Sequence, residues 1–168
     1  MGKQMSRSDY RFHYKTRVRW MDCDAQGIAF NGSYLGYLEI AQSEYFRNLG
    51  FSIYRIAAAG YFDSAVVKTN IKFNAPVRVD DIIELYAKVS HIGTTSLQLD
   101  VEIYKESDQD KCTMIEAVYV GLDTKTMTKR PVPDAIRQII QTYETTGTVI
   151  STGSFPDLDK ANKSQNYR

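Results

Sequence analysis

The period of the hydrophobic pattern changes twice along this chain, and these changes limit the folds it can adopt. Residues 12–20 alternate apolar and polar side chains, which predicts a strand with one buried face. That face would carry Phe12, Tyr14, Thr16, Val18 and Trp20. Residues 34–49 have apolar side chains at helical spacing, which predicts one helix of about four turns that ends before Gly50. Asn31 or Ser33 is available as its N-cap.

After this helix the pattern returns to a period of two. A shorter helix over residues 53–59 ends at Gly60. Four strand-like segments follow, at residues 67–76, 83–89, 97–103 and 112–122. The last is apolar enough for a central strand, and a short helix over residues 134–143 follows it. Turn sequences join the segments as hairpins. We therefore predict an α+β fold in which a long central helix packs on a five-stranded, mainly antiparallel sheet.

A single helix covers only one face of a five-stranded sheet. The other face, or an exposed edge, then requires a second protein surface. The pattern therefore predicts a homo-oligomer, a dimer at least, and we expect a tetramer.

The length of 168 residues fits one domain. We divide the chain into an N-terminal extension (1–11), the folded domain (12–142) and a polar C-terminal tail (143–168). The tail is rich in Thr, Ser, Gly, Asn and Lys and has little to bury, so we expect no second domain there.

Composition argues against several function classes. The 21 Lys and Arg nearly cancel the 20 Asp and Glu, which disfavours a nucleic-acid-binding protein. No apolar run approaches the ~18 residues of a membrane span. The N-terminus lacks the apolar core of a signal peptide, so the cytoplasm is the expected location. Two cysteines and two histidines without metal-binding spacing predict neither a metal nor another cofactor.

The residues best suited to chemistry lie in the loop before the long helix, which reads DCDAQGIAFNGSY over residues 22–34. Its carboxylates precede a helix N-terminus, where free backbone N–H groups and the positive end of the helix dipole can polarise a carbonyl. A carboxylate beside an amide donor is a minimal set of groups for acyl transfer. An Asp before a helix is also a common cap or loop-forming residue, and spacing alone leaves both interpretations open.

Two blocks of sequence resemble the 4-hydroxybenzoyl-CoA thioesterase family, whose members are hotdog-fold acyl-CoA thioesterases and include the Tol-Pal-associated thioesterases. The first block is VRWMDCDAQGIAFNGSYLGYLEIA at residues 18–41, and the second is KFNAPVRVDDI at residues 72–82. The resemblance covers residues 12–142. It implies the hotdog fold and the hydrolysis of an acyl-CoA thioester to the free acid and CoA.

The resemblance also implies site residues. The catalytic carboxylate corresponds to Asp24, which attacks the thioester carbonyl or directs water at it, while the backbone N–H of Asn31 holds the oxyanion. Many relatives carry His or Tyr where this chain has Asn31, and the Asn excludes a His general base at that position here. Gly27 would give the loop a tight path near the substrate. The acyl pocket would be lined by Phe30, Tyr34, Tyr61, Phe62 and Phe73, although core packing is an alternative role for Tyr34 and Phe73.

In this fold, CoA lies across the dimer interface. The segment similar to the family's CoA contacts is the predicted turn with His91, Thr94, Thr95 and Ser96. Lys68, Arg78 and Arg130 are further candidates for the CoA phosphates, although exposed cations often form only a solvated surface.

Two other functions remain open from the sequence. An acyl-CoA-binding hotdog module without catalysis would keep the pocket, but the retained Asp24 argues against it. A hotdog dehydratase or hydratase would use a His with a carboxylate, and neither His13 nor His91 lies in the loop-to-helix segment. Cys23 is a weak candidate nucleophile, because no base stands beside it in the sequence.

Overall fold

The structure is a computed structural model that describes residues 6–107 and 110–164. Its strands are β1 (Phe12–Arg17), β2 (Ser64–Phe73), β3 (Ile82–Ile92), β4 (Ser96–Lys105), β5 (Lys111–Asp123) and β6 (Thr128–Lys129). Its helices are α1 (Ser33–Asn48), α2 (Ile53–Ala58), α3 (Asp134–Thr146) and α4 (Pro156–Lys163). The predicted order of strand, long helix, short helix, four strands and C-terminal helix is confirmed. No helix in this part of the chain is long and apolar enough to cross a bilayer.

One antiparallel sheet holds the main strands in the order β1-β3-β4-β5-β2, and β6 pairs with β5. β5 lies between β4 and β2, which confirms its prediction as an internal strand. Hairpins keep β3, β4 and β5 adjacent in chain order. β1 and β2 form opposite edges, so α1, which lies between them in sequence, crosses the sheet. The α+β prediction is confirmed.

The core lies between α1 and the inner face of the sheet. That face carries fully buried aliphatic side chains, among them Ile83, Leu85, Val101 and Ile115. α1 covers them with Tyr37, Leu38, Ala41 and Tyr45. Complete burial of a large apolar side chain contributes about 1.5–3 kcal/mol. This helix-on-sheet layer therefore dominates the stability of the fold.

The first strand is shorter than predicted. β1 ends at Arg17, and Trp20, predicted to be buried, is 84% exposed. Val18 keeps its place because its N–H donates to the Asp81 carbonyl at 2.9 Å. The chain then turns through residues 20–22, where the Asp22 carboxylate accepts the Arg19 N–H. That side-chain hydrogen bond ends the strand, so the alternation to Trp20 overstated the buried face.

The prediction that the chain after Glu144 has little to bury is wrong. α3 extends to Thr146, and α4 packs against α2. α4 buries Leu158 completely and Ala161 almost completely. The Asn162 side chain accepts the Ser52 N–H and donates to the Gly50 carbonyl. Two apolar side chains three residues apart suffice for this packing, so the average polarity of the segment concealed it.

Residues of the N-terminal extension fold over the outer face of the sheet. The Arg7 guanidinium lies 4.1 Å from the centre of the Tyr104 ring. Under it, the fully buried Glu102 accepts the Tyr104 hydroxyl at 2.6 Å and pairs with Lys111. The outer face is therefore partly covered by the chain itself and carries satisfied charges.

The edge of β2 is more exposed than the outer face. Among the described residues, β2 pairs only with β5, and Val66 and Val67 are 52% and 61% exposed beside a register shift. A long edge strand with exposed apolar side chains is a template for pairing with another chain.

Candidate active site

The loop between β1 and α1 folds back on itself as a small hairpin. Cys23 and Ala29 form an antiparallel bridge, and the Asp24 N–H donates to the Ile28 carbonyl at 2.9 Å. Gly27 closes the turn, because its N–H donates to the Asp24 carbonyl at 3.0 Å. Its φ of 72° lies in the left-handed region, which glycine adopts at no steric cost. Gly27 therefore has the tight backbone path predicted for it.

The hairpin presents the Asp24 carboxylate at the protein surface. One carboxylate oxygen accepts the Gln26 N–H at 2.8 Å, which orients the side chain. The hairpin is tied to the segment after β2, since the Ala29 N–H donates to the Val77 carbonyl at 2.9 Å. The carboxylate is thus held in place by backbone groups and is open to a ligand.

α1 begins beside this hairpin. Its N-cap is Gly32, so both predicted caps, Asn31 and Ser33, are wrong. A Cβ at position 32 would lie 2.7 Å from the Phe30 ring, which favours glycine there. The Asn31 side-chain oxygen accepts the Gly32 N–H at 2.9 Å. The Asn31 N–H itself has no hydrogen-bond partner within the described ranges, 6–107 and 110–164.

The hairpin, the start of α1 and the end of β2 border one open groove of about 510 Å³. Five of the predicted site residues line this groove, namely Asp24, Phe30, Asn31, Tyr34 and Phe73. The Tyr34 and Phe73 rings meet edge to face, with their centres 5.0 Å apart, and half of Phe73 is exposed. The groove thus combines a carboxylate, an unpaired N–H at a helix start and an aromatic wall.

Asp22 is a buried carboxylate that holds this loop together. Arg19 donates to it from its guanidinium (2.8 and 3.1 Å) and its backbone N–H (2.8 Å), and the Tyr37 hydroxyl donates at 3.3 Å. The Asp22 carbonyl accepts the Ser33 hydroxyl and the Phe30 N–H. Burial raises the pKa of Asp22, but the hydrogen bonds from Arg19 outweigh burial and keep this pKa below its usual value. Asp22 is therefore an ionised structural anchor.

The sequence matches the model of the thioesterase superfamily over residues 26–112, just over half of the chain. The chain belongs to the thioesterase superfamily. It is 28% identical over 125 residues to the acyl-CoA thioester hydrolase YbgC of Escherichia coli O6:H1, which covers 74% of this chain and 92% of that protein. It is 27% identical over 137 residues to the chloroplastic acyl-acyl carrier protein thioesterase ATL3 of Arabidopsis thaliana, which covers 81% of this chain and 69% of that protein.

The fold is similar to that of a solved thioesterase. The crystal structure of Slr0204, a 1,4-dihydroxy-2-naphthoyl-CoA thioesterase from Synechocystis, superposes with a TM-score of 0.71 at 20% identity. The match covers 80% of this chain and 96% of that chain. The predicted hotdog fold is confirmed.

Two residues predicted to line the acyl pocket, Tyr61 and Phe62, do not line the groove of this chain. Tyr61 and Phe62 precede β2, whereas Phe73 is its last residue. Phe62 is buried, and Tyr61 lies beside Arg130 and Pro133. β2 is about 30 Å long at ~3.3 Å per residue, so one protomer does not bring Tyr61 or Phe62 to the groove. Their shared aromatic character gave no information on which end of β2 they occupy.

The predicted CoA-binding turn of the thioesterase-superfamily chain also lies away from the groove. His91 is the last residue but one of β3, Thr94 and Thr95 lie in the turn, and Ser96 begins β4. The Gly121 N–H donates to the Thr95 carbonyl at 2.7 Å, and Gly121 pairs with Ser64 at the start of β2. The turn is therefore at the Ser64 end of β2, opposite to the groove.

A second cavity of about 150 Å³ lies between α1, α2 and the start of β2, and we call it the α2 cavity. Its apolar lining is Phe46, Phe51, Ile53, Ile56, Ala57, Phe62, Leu97 and Ile136, and its polar lining is Gln42, Tyr54, Asp63 and Ser64. Sequence reasoning missed this cavity. Helical and strand periods mark such side chains as core and do not distinguish a packed core from a cavity wall.

Two other candidate reactive side chains, Cys23 and His13, do not line the groove. Burial, with the carboxylates of Asp22 and Asp24, raises the pKa of the Cys23 thiol, so this thiol is a poor nucleophile. His13 stacks on Tyr86 with ring centres 5.1 Å apart, on the outer face. In the described part of the chain, no three His, Cys, Asp or Glu side chains converge as a metal site would need.

Proposed function

We propose that the protein hydrolyses an acyl-CoA thioester to the free acid and CoA at the groove beside α1. The observation that carries this proposal is that two residues line the same groove: Asp24, whose carboxylate is exposed, and Asn31, whose N–H has no hydrogen-bond partner among the described residues. The named activity of the YbgC relative, an acyl-CoA thioester hydrolase, supports the substrate class. The proposed reaction needs no metal or redox cofactor.

The proposed mechanism starts with polarisation of the thioester carbonyl. The carbonyl oxygen accepts the Asn31 N–H, and the positive end of the α1 dipole stabilises the negative charge that develops on it. Such a donor, already in position before reaction, typically contributes about 3 kcal/mol to the transition state.

Asp24 acts next, in one of two ways. As nucleophile, its carboxylate adds to the carbonyl carbon and the C–S bond breaks, which gives a mixed anhydride and a CoA thiolate. Water then hydrolyses the anhydride. As general base, Asp24 takes a proton from a water molecule that attacks the same carbon. Either route consumes one water and yields the acid and CoA. Phe30, Tyr34 and Phe73 would contact the acyl group near the reacting carbon.

A dimer through the edge of β2 is part of this proposal. The outer face of the sheet is partly covered by residues of the N-terminal extension, whereas the β2 edge has no neighbouring strand in the described part of the chain and exposes Val66 and Val67. Edge pairing of two identical strands about a two-fold axis is antiparallel. The partner's Ser64 end then lies beside this protomer's Phe73 end.

This pairing would also bring the predicted CoA-binding turn to the site. Because Thr94, Thr95 and Ser96 lie at the Ser64 end of β2, the partner's turn would approach the groove. We propose that this turn, with His91, contacts CoA from the partner side. Assembly of two such dimers would give the expected tetramer. Light scattering of the purified protein measures its oligomeric state.

The proposed activity is tested by thiol release from a panel of acyl-CoAs, with short, medium and long aliphatic chains and with benzoyl and phenylacetyl groups. Asp24→Asn and Asp24→Ala should each lose at least about 100-fold in kcat while they stay folded. The matched control is Asp134→Asn, an exposed carboxylate at the start of α3. Binding of acyl-CoA without turnover would instead support the non-catalytic module. Wild-type kcat in Asp24→Ala would disprove the mechanism.

A further inference from the structure

The α2 cavity has no role in the proposed mechanism. It has a volume of about 150 Å³ and extends from the surface into the space between α1, α2 and β2. Its inner wall is apolar, with Phe46, Phe51, Leu97 and Ile136. Its polar lining includes Ser64, which is half-buried, and Tyr54, which is 39% exposed. The cavity therefore opens to the surface beside the start of β2.

We propose that the α2 cavity of one protomer holds the end of the acyl chain whose thioester is cleaved at the partner's Asp24. This inference rests on the proposed function, and it assigns the acyl specificity of that site. It predicts a preference for aliphatic chains long enough to reach the cavity over short ones.

The size and lining of the cavity identify the kind of group it takes. An apolar protein cavity of this volume stays dry and binds small hydrocarbons such as benzene. The polar lining residues, Gln42, Tyr54, Asp63 and Ser64, are all at least partly exposed, so the buried part of the lining is apolar. Burial of a polar or charged group there without a partner is unfavourable. The end of a hydrocarbon chain fits this volume and has no polar group that needs a partner.

The geometry of β2 indicates which protomer supplies the cavity. Ser64 lines the α2 cavity and Phe73 lines the groove, so the two sites of one protomer lie at opposite ends of a strand of about 30 Å. In the proposed dimer the strands are antiparallel. The partner's Ser64 then lies beside this Phe73, and the partner's cavity is the one that a chain bound at Asp24 reaches.

The first experiment narrows the cavity. Ala57→Leu adds a larger side chain to the wall, and Ala58→Leu is the matched control, because Ala58 is the next residue of α2 and does not line the cavity. We expect Ala57→Leu to lower the ratio of kcat/KM for dodecanoyl-CoA to that for acetyl-CoA at least tenfold. Ala58→Leu should leave the ratio within twofold of wild type. An unchanged ratio in a folded Ala57→Leu protein would overturn the proposal.

The second experiment assigns the cavity to a protomer. Asp24→Asn and Ala57→Leu chains, each with its own affinity tag, are co-expressed, and the mixed dimer is isolated through both tags. Its one intact Asp24 then belongs to the Ala57→Leu chain and faces a partner with the wild-type cavity. We expect dodecanoyl-CoA turnover near half of the wild-type rate per dimer. Turnover as low as that of the Ala57→Leu homodimer, or a monomeric active protein, would overturn the shared site.

A third measurement separates failure of this inference from failure of the proposed function. Equilibrium binding of dodecanoate and butyrate is measured by calorimetry on the wild-type and Ala57→Leu proteins. If no acyl-CoA is hydrolysed but dodecanoate binds at least tenfold more weakly to Ala57→Leu, the proposed function fails and the cavity assignment stands. If hydrolysis depends on Asp24 but dodecanoate binds both proteins equally, the cavity assignment fails and the proposed function stands.

Discussion

The hydroxyl of Ser33, the first residue of α1, donates a hydrogen bond of 2.7 Å to the backbone carbonyl of Asp22. The same carbonyl accepts the Phe30 N–H at 2.8 Å. The end of the 20–22 turn and the start of the helix are therefore joined through one oxygen atom. The segment between them carries Asp24 and Asn31, the two residues proposed to act on the thioester. The position of α1 relative to Asp24 depends on this junction.

Ser33→Ala should therefore lower activity more than stability. Loss of one hydrogen bond costs about 1 kcal/mol of unfolding free energy, and the helix start becomes less well placed for the oxyanion. We expect kcat to fall about tenfold, since 1.4 kcal/mol of transition-state stabilisation corresponds to that factor. KM should change less. Ser154→Ala, at an exposed position, is the control, and equal kcat in the two variants would contradict the positioning role.

Asn31→Pro should separate the backbone from the side chain at position 31. Proline has no N–H, so this change removes the proposed oxyanion donor, and we expect a loss of about 10²–10³ in kcat. Asn31→Ala keeps the N–H and removes only the acceptor for Gly32, so its kcat should fall less than tenfold. Thermal unfolding of both variants checks the fold. Equal losses would assign the effect to the side chain.

The Asp22 anchor should make stability depend on pH in the acid range. The pKa of Asp22 in the folded state lies below its ordinary value of 3.8, so its stabilising effect is complete above that value. It is lost as the pH falls through the lower, folded-state pKa. Asp22→Asn should cost about 2 kcal/mol in unfolding free energy at pH 7. Urea unfolding between pH 2.5 and pH 7 should show the two proteins converging at the acid end, and a constant difference would refute this account.

Gly121→Ala should destabilise the fold. A Cβ at this position would lie 2.2 Å from the Arg130 carbonyl oxygen and 2.7 Å from the Phe62 ring, and the backbone contact leaves no room for relief. We expect a loss of at least about 2 kcal/mol in unfolding free energy. Gly36→Ala is the control, and its expected effect on stability is the opposite. Gly36 lies inside α1, and a Cβ there meets nothing within 4 Å. Chemical denaturation should show a gain of about 0.5–1 kcal/mol for this variant.

Leu158→Ala tests whether α4 is an integral part of the fold. Leu158 is fully buried, so we expect a loss of about 2–5 kcal/mol and a lower unfolding midpoint. Asp157→Ala, next to it on the exposed side of α4, should change stability by less than about 0.5 kcal/mol. A wild-type midpoint for Leu158→Ala would mean that α4 adds little to the folded state.

Local periodicity predicted most of this fold, and it failed where side chains act on the backbone. The spacing of Tyr34 to Leu49 was enough to find α1, because burial of one helical face is a property of the sequence itself. The early end of β1 depends instead on the Asp22 carboxylate, and the Phe30 ring limits the space for a side chain at the N-cap, Gly32. Neither contact leaves a regular spacing in the sequence, so periodicity could not predict it.

The site divides in the same way. The loop motif singled out Asp24 and Asn31, and both line the groove, because the residues are close in sequence and the turn between them is local. Tyr61 and Phe62 were grouped with Phe73 by chemical character alone. Their separation depends on which end of β2 each one occupies, and the α2 cavity depends on packing between α1, α2, α3, β2 and β4. Such long-range relationships are not encoded in any short segment.

The packing of α4 on α2 has a consequence for how proteins of this kind can diverge. α2 forms one wall of the α2 cavity, and α4 packs against α2 and holds its N-cap, Ser52, through the Asn162 side chain. Changes in the length or register of the C-terminal segment therefore reshape the cavity without any substitution in its lining. Selection on the end of the chain can thus alter which acyl groups are accepted while the reacting groups stay untouched.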